Sequence, residues 1–250
     1  MKQAVIEFKN VSKSFQTWHD RPESLKTVLA QMAKLQFSSS HRDQVTVLEN
    51  IDLQIHRGDF VGIMGRNGVG KSTLLKLISG IYRPSHGKIL THGRIAPLLE
   101  LGAGFATELT GYENIFLNAS ILGFSRDLVR RRLDEIIEFA DLKQALDQPV
   151  RNYSSGMLVR LGFAVAAHLD AEILLFDEIL AVGDVGFQAK CLKKIDELHA
   201  EGRTIILVTH TPEQVEKFCT RCIVFNQRHI VQDGSAQDGV RVYNELFAGA

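Results

Sequence analysis

Gly65-Arg66-Asn67-Gly68-Val69-Gly70-Lys71-Ser72 lies between an unbroken apolar run, Phe60-Val61-Gly62-Ile63-Met64, and a stretch of helical character from Thr73 to Ser79. It satisfies the spacing G-x-x-x-x-G-K-[ST] completely, and a strand before with a helix after is the context that spacing requires. Glycines let the backbone curl so that successive N–H groups point inward as a nest for an anion. The helix that follows, starting near Lys71, adds its positive N-terminal end. In this chemistry Lys71 supplies a point charge to the β- and γ-phosphates, and the Ser72 hydroxyl is a ligand for Mg²⁺. Gly65, Arg66, Asn67, Gly68, Val69, Gly70, Lys71, Ser72 and Thr73 are therefore read as a nucleotide phosphate site.

A second half of the site is expected far along the chain. Ile173-Leu174-Leu175-Phe176 ends in Asp177-Glu178, which puts two carboxylates at the C-terminal tip of a buried strand. In a parallel sheet such tips face one crevice. Asp177 is expected to hold Mg²⁺ through water, and Glu178 to polarise an attacking water. Taken alone, Glu178 would read as a solvated loop carboxylate.

Working outward, Thr204-Ile205-Ile206-Leu207-Val208-Thr209 is a third buried-strand pattern. Uninterrupted apolar runs separated by helical stretches indicate a parallel sheet covered on both faces. Val5 to Phe8 and Ile51, Leu53 and Ile55 alternate with polar residues, as half-exposed strands do. Between them, at about residues 17–45, Leu25, Val28, Leu29, Met32 and Leu35 recur at helical spacing before a polar Phe37-to-Arg42 loop. That pattern is an inserted amphipathic helix, packed on its own domain or docked on a membrane or partner. Arg126 to Ala140 and Leu158 to His168 mark a helical block, about residues 100–168, inserted into the α/β core. A strand pair, Cys222 to Phe225 and Ile230 to Gln232, and a last helix, Gly239 to Leu246, close the chain.

Bulk properties narrow the class. The 250 residues carry 29 basic and 29 acidic side chains, so there is no global electrostatic case for nucleic acid or an anionic lipid surface. No run approaches the roughly 20 apolar residues that span a bilayer. The charged, alternating N-terminus has no signal-peptide core. Three cysteines, Cys191, Cys219 and Cys222, are an odd set that argues against a disulfide framework. Cys219 and Cys222 form a CxxC without a second pair of zinc spacing, so reduced thiols are expected.

Tyr153-Ser154-Ser155-Gly156-Met157 heads a helix just before the Asp177 strand and resembles the LSGGQ signature of ABC ATPases. Out of context it would also serve as a helix N-cap. The remaining positions of that family follow in order. Phe15 resembles the aromatic that stacks on adenine, core packing being the other reading. Asp184 resembles the D-loop aspartate that bridges a dimer, and His210 the switch histidine that contacts the γ-phosphate and orients Glu178 and water. The resemblance spans nearly the whole chain. It implies an α/β P-loop fold with an N-terminal antiparallel part and a helical subdomain. It also implies ATP and Mg²⁺ as cofactors, and a head-to-tail homodimer in which Ser154, Ser155 and Gly156 of one copy meet the γ-phosphate held by the other.

Three departures point within the family. Glu100, in Leu98-Leu99-Glu100-Leu101-Gly102-Ala103-Gly104-Phe105, stands where the Q-loop glutamine is expected, and a carboxylate can still ligate Mg²⁺. The signature carries Ser155 and Met157 in place of Gly and Gln, and the D-loop lacks its usual Pro-Thr. Together with Leu109-Thr110-Gly111-Tyr112-Glu113-Asn114-Ile115, these resemble the ATPases that export lipid-linked polysaccharides such as O-antigen, capsule and teichoic acid. That implies two integral membrane permease subunits, which handle the glycolipid. It implies a peripheral place on the cytoplasmic face of the bacterial inner membrane. The C-terminal carbohydrate-binding domain of some members is expected to be absent. A soluble ABC ATPase acting on DNA or ribosomes would carry paired ATPase domains or a coiled-coil insertion. A P-loop kinase would leave the signature, Asp184 and His210 unexplained.

Overall fold

The computed structural model describes residues 3–18, 42–98, 104–177 and 184–247. Two long strands open it, β1 (Ala4–Trp18) and β2 (Arg42–His56), paired antiparallel out to Trp18↔Arg42. They run well past the alternating stretches that mark them in sequence. The outer part, with Ser14 and Thr46 hydroxyls 3.0 Å apart and Phe15 opposite Val45, has no face buried deeply enough to impose strict alternation. The expected insertion thus starts and ends in strand. Leu25, Val28, Leu29, Met32 and Leu35, which suggested its helix, lie outside the described residues.

After β2 come β3 (Phe60–Met64), α1 (Lys71–Ile78), β4 (His86–Thr91) and β5 (Ile95–Leu98). The helical block follows as α2 (Gly111–Ile121), α3 (Arg126–Ala140) and α4 (Ser155–His168). The chain then alternates through β6 (Ile173–Asp177), α5 (Val185–Ala200), β7 (Thr204–Val208) and α6 (Pro212–Phe218), and ends in β8 (Arg221–Asn226), β9 (His229–Ser235) and α7 (Ala236–Phe247). One sheet is antiparallel in the order β2-β1-β4; the other runs β5-β6-β7-β3-β8-β9, parallel except for β9. β3, early in sequence, is therefore central in space.

The parallel strands read as continuous apolar runs because both faces are covered. Ile173 and Leu175 pack with Leu74, Leu75 and the β1–β2 residues on one side. Leu174 and Phe176 pack with the helices, including Phe163 and Phe187, on the other. α5 escaped the sequence reading. Its apolar residues Phe187, Cys191, Ile195 and Leu198 are buried along one face, but Lys, Asp and Glu separate them. The three cysteines are free and buried, and burial pushes Cys191 and Cys222 up to about 12 and Cys219 higher still. The CxxC is thus two unreactive core thiols.

Within the helical block, Asn114 is fully buried and its side chain ties down the preceding loop. Its Nδ2 donates to the carbonyls of Ala106, Leu109 and Thr110, and its Oδ1 accepts from the Ala106 N–H at 2.8 Å. A capping box of Thr110 and Glu113 starts α2 beside it. Asn114→Leu leaves those backbone groups without their partner and is expected to lower unfolding stability by about 2–4 kcal/mol. Urea denaturation checks this; an unchanged midpoint would show that the loop does not depend on Asn114.

Candidate functional site

The loop after β3 is squeezed between two strands, which fixes where glycine is needed. Gly65 has φ 154°, and a Cβ there would stand 2.6 Å from the Phe225 carbonyl oxygen of β8. Gly70 has φ 111°, and a Cβ there would stand 2.8 Å from Leu48 Cδ2 of β2. Both positions therefore need glycine for conformation and for space. α1 begins immediately afterwards, at Lys71, where the helix is expected to start.

Lys71 is only 6% exposed, and its Nζ donates to the carbonyls of Gly65 at 2.7 Å and Arg66 at 3.0 Å. The ammonium is held inside the curve of the loop, where an entering anion meets it together with the helix N-terminus. Beside it is a cavity of about 620 Å³ lined by Val47, Asn67, Gly68, Gly70, Lys71, Ser72, Thr73 and Asp177. That volume falls within the range of small-molecule sites. Asp177 reaches it because β6, β7 and β3 are successive parallel neighbours, so their C-terminal tips align.

The donor set suits a triphosphate with a hard cation. Among the described residues no group of three or more His, Cys, Asp or Glu forms a metal cage. One hydroxyl, from Ser72, and one carboxylate, from Asp177, match Mg²⁺, which keeps waters and takes phosphate oxygens rather than an all-protein shell.

Phe15 stands outside the cavity lining. Its half-buried ring packs edge-on against Tyr82 at 5.3 Å, with Lys13 Nζ 4.8 Å from its centroid. Val47 of β2 supplies the cavity's apolar wall instead. His210 is exposed just beyond β7. The turn that carries it is fixed by buried Thr209, whose Oγ1 donates to Gln214 Oε1 at 2.7 Å and accepts from the Thr211 N–H.

Ser154, Ser155 and Gly156 form a separate place. Ser154 is the N-cap of α4, its hydroxyl accepting the Met157 N–H at 3.3 Å, and Ser154 and Ser155 are exposed. Tyr153 anchors the turn by donating its hydroxyl to the Ala145 carbonyl at 2.7 Å. Asp184 caps α5, accepting the Phe187 N–H at 3.0 Å. That bond holds its carboxyl below the usual aspartate range, and Arg160, 4.0 Å away, adds to the effect. Glu100 and Glu178 lie outside the described residues.

Sequence reasoning missed Arg160. This α4 side chain joins the signature helix to Asp184, pairs with Asp141 at 3.3 Å and lies over the Phe187 ring. As the sixth residue of a mostly apolar helix, a lone arginine gave no signal of its partner. Val47 was equally hidden, because its role depends on where the β1–β2 pair lies across the loop.

This fold and this cavity define a nucleotide-binding α/β protein of the P-loop kind. Residues 48–181 match the family model described as ABC transporter. The chain is 42% identical over 244 residues to the O-antigen export system ATP-binding protein RfbB of Klebsiella pneumoniae, covering 98% of this chain and 99% of that one. It is 37% identical to the teichoic acids export ATP-binding protein TagH of Listeria monocytogenes, covering 98% and 71%. A solved ATP-binding subunit of an ABC transporter superimposes with a TM-score of 0.75 at 24% identity, covering 98% and 95%. The chain belongs to the ABC transporter family. It binds nucleotide and is an ATP hydrolase of the transport-coupled class. Among the described residues no helix is long and apolar enough to cross a membrane.

Proposed function

We propose that this chain is the ATP-hydrolysing subunit of an exporter that moves a lipid-linked polysaccharide, of O-antigen, capsule or teichoic-acid type, across the cytoplasmic membrane. The observation that carries the ATPase half is the cavity that unites Lys71, Ser72 and Asp177. The export half rests on near full-length similarity to a relative named for O-antigen export. The protein works as a homodimer on the cytoplasmic face, held there by two membrane-embedded permease subunits that handle the glycolipid.

In the mechanism, the loop from Gly65 to Thr73 grips the phosphates of ATP while Phe15 borders the adenine. Ser154, Ser155 and Gly156 of the second copy cap the γ-phosphate, and Asp184 bridges the two copies. Glu178 orients water for in-line attack, and Lys71 and His210 stabilise the charge that develops on the transferred group. Ser72, Asp177 and Glu100 would hold Mg²⁺, which would neutralise charge on the phosphate oxygens. The helical block of about residues 100–168 receives a helix of the permease, so closure of the dimer is passed to the membrane.

ATPase turnover is the test, measured on the chain alone and then with its co-encoded membrane protein in lipid, with and without lipid-linked glycan. A rate that rises in the complex and responds to the glycan is expected. A rate indifferent to both would leave an ABC ATPase whose client is not a glycolipid.

A further inference from the structure

The phosphate-binding loop has a second side. Behind it lies a cavity of about 430 Å³, lined by Arg66 to Val69 of the loop, Asn226 at the end of β8, Gln227 of the β8–β9 turn, and Leu246 and Phe247 at the end of α7. Gly65 and Gly70 are hemmed in by neighbouring strands, but a Cβ at Gly68 between them would meet nothing within 4 Å, and phosphate recognition needs the N–H groups of that apex preorganised.

One contact crosses that gap, from Phe247 of α7 to Arg66 of the loop. α7 is seated tightly on β8, since a Cβ at Gly239 would stand 2.3 Å from Cys222 Cβ, and Val240 is buried. Two turns on, Phe247 meets Tyr243 edge to face at 5.1 Å, and the Phe247 ring lies beneath the Arg66 guanidinium at 5.3 Å. Arg66 is the residue whose position matters most to the loop, because its carbonyl accepts both the Val69 N–H and Lys71 Nζ.

We propose that Phe247 is a positioning residue for nucleotide binding: through a cation–π contact it holds Arg66, and through the Arg66 carbonyl it sets the turn and the ammonium of Lys71. The role rests on the reading of residues 65–73 as the phosphate site. It makes α7 a fixed strut between β8 and the loop.

The test compares F247L, which keeps an apolar side chain but removes the aromatic face, with F247W, which restores that face. Equilibrium titration with a fluorescent ATP analogue and Mg²⁺ is expected to show F247L weakened about two- to fivefold, the range a single exposed cation–π contact supports. KM for ATP rises in step while kcat and thermal stability stay at the wild-type values, and F247W binds as wild type does. F247L binding as tightly as wild type would overturn the proposal, and so would F247W as weak as F247L. Lys71→Met in the same titration separates the two layers. If it retains nucleotide, the phosphate-site reading itself fails. If it loses nucleotide while F247L is unchanged, only the role of Phe247 fails.

Discussion

Lys71→Ala is expected to fold and to lose nucleotide. The side chain sits at the first position of α1, where alanine is a good helix former, so the helix itself tolerates the change. What disappears is the ammonium that now bonds to the Gly65 and Arg66 carbonyls and that would bond to phosphate. A hydrogen bond to a charged group is worth about 1.5–3 kcal/mol. Its loss corresponds to roughly a ten- to hundredfold rise in the Kd for ATP. Hydrolysis should fall further than binding, because charge grows on the transferred group. Isothermal titration with MgATP together with a thermal melt decides the matter. Unchanged affinity in a folded protein would remove Lys71 from the site.

Glu178→Gln should split binding from chemistry in the opposite way. The substitution preserves size and hydrogen-bonding capacity next to Asp177 in sequence but removes the carboxylate proposed to orient water. A positioned general base contributes about 10²–10⁴-fold, so turnover should drop by that factor while ATP affinity stays near wild type. Because product is not formed, the two-nucleotide homodimer should accumulate and be visible as a doubled mass on size exclusion with ATP. Wild-type turnover in this variant would assign the water to another group.

The parts of the molecule that sequence made legible are those governed by local rules. The strand–glycine loop–helix around Lys71 and the span of α3, capped by Ser125, depend on residues close along the chain. The unbroken apolar runs of β6 and β7 announced a sheet buried on both faces, which is where they lie. What stayed hidden is set by residues remote in sequence. The outer β1–β2 pairing has no buried face to enforce a pattern. The salt link from Arg160 to Asp184 depends on how α4 lies against α5. The contact between Arg66 and Phe247 exists only because Gly239 lets α7 close on Cys222. Asn114 stood in a block read as a subgroup marker, yet its visible work is to hold a loop through four backbone hydrogen bonds.

The central place of β3 also bears on how this protein is made. Its two neighbours, β7 and β8, belong to the last fifth of the 250 residues. During synthesis the glycine loop leaves the ribosome well before β7 and β8, and has no sheet to anchor it until they have followed. Such distant pairing is slow to form, and it exposes apolar strands while they wait. ATP capture therefore reports that β7 and β8 have been made and paired, and a nascent fragment ending before β7 carries the whole motif without the capacity to use it.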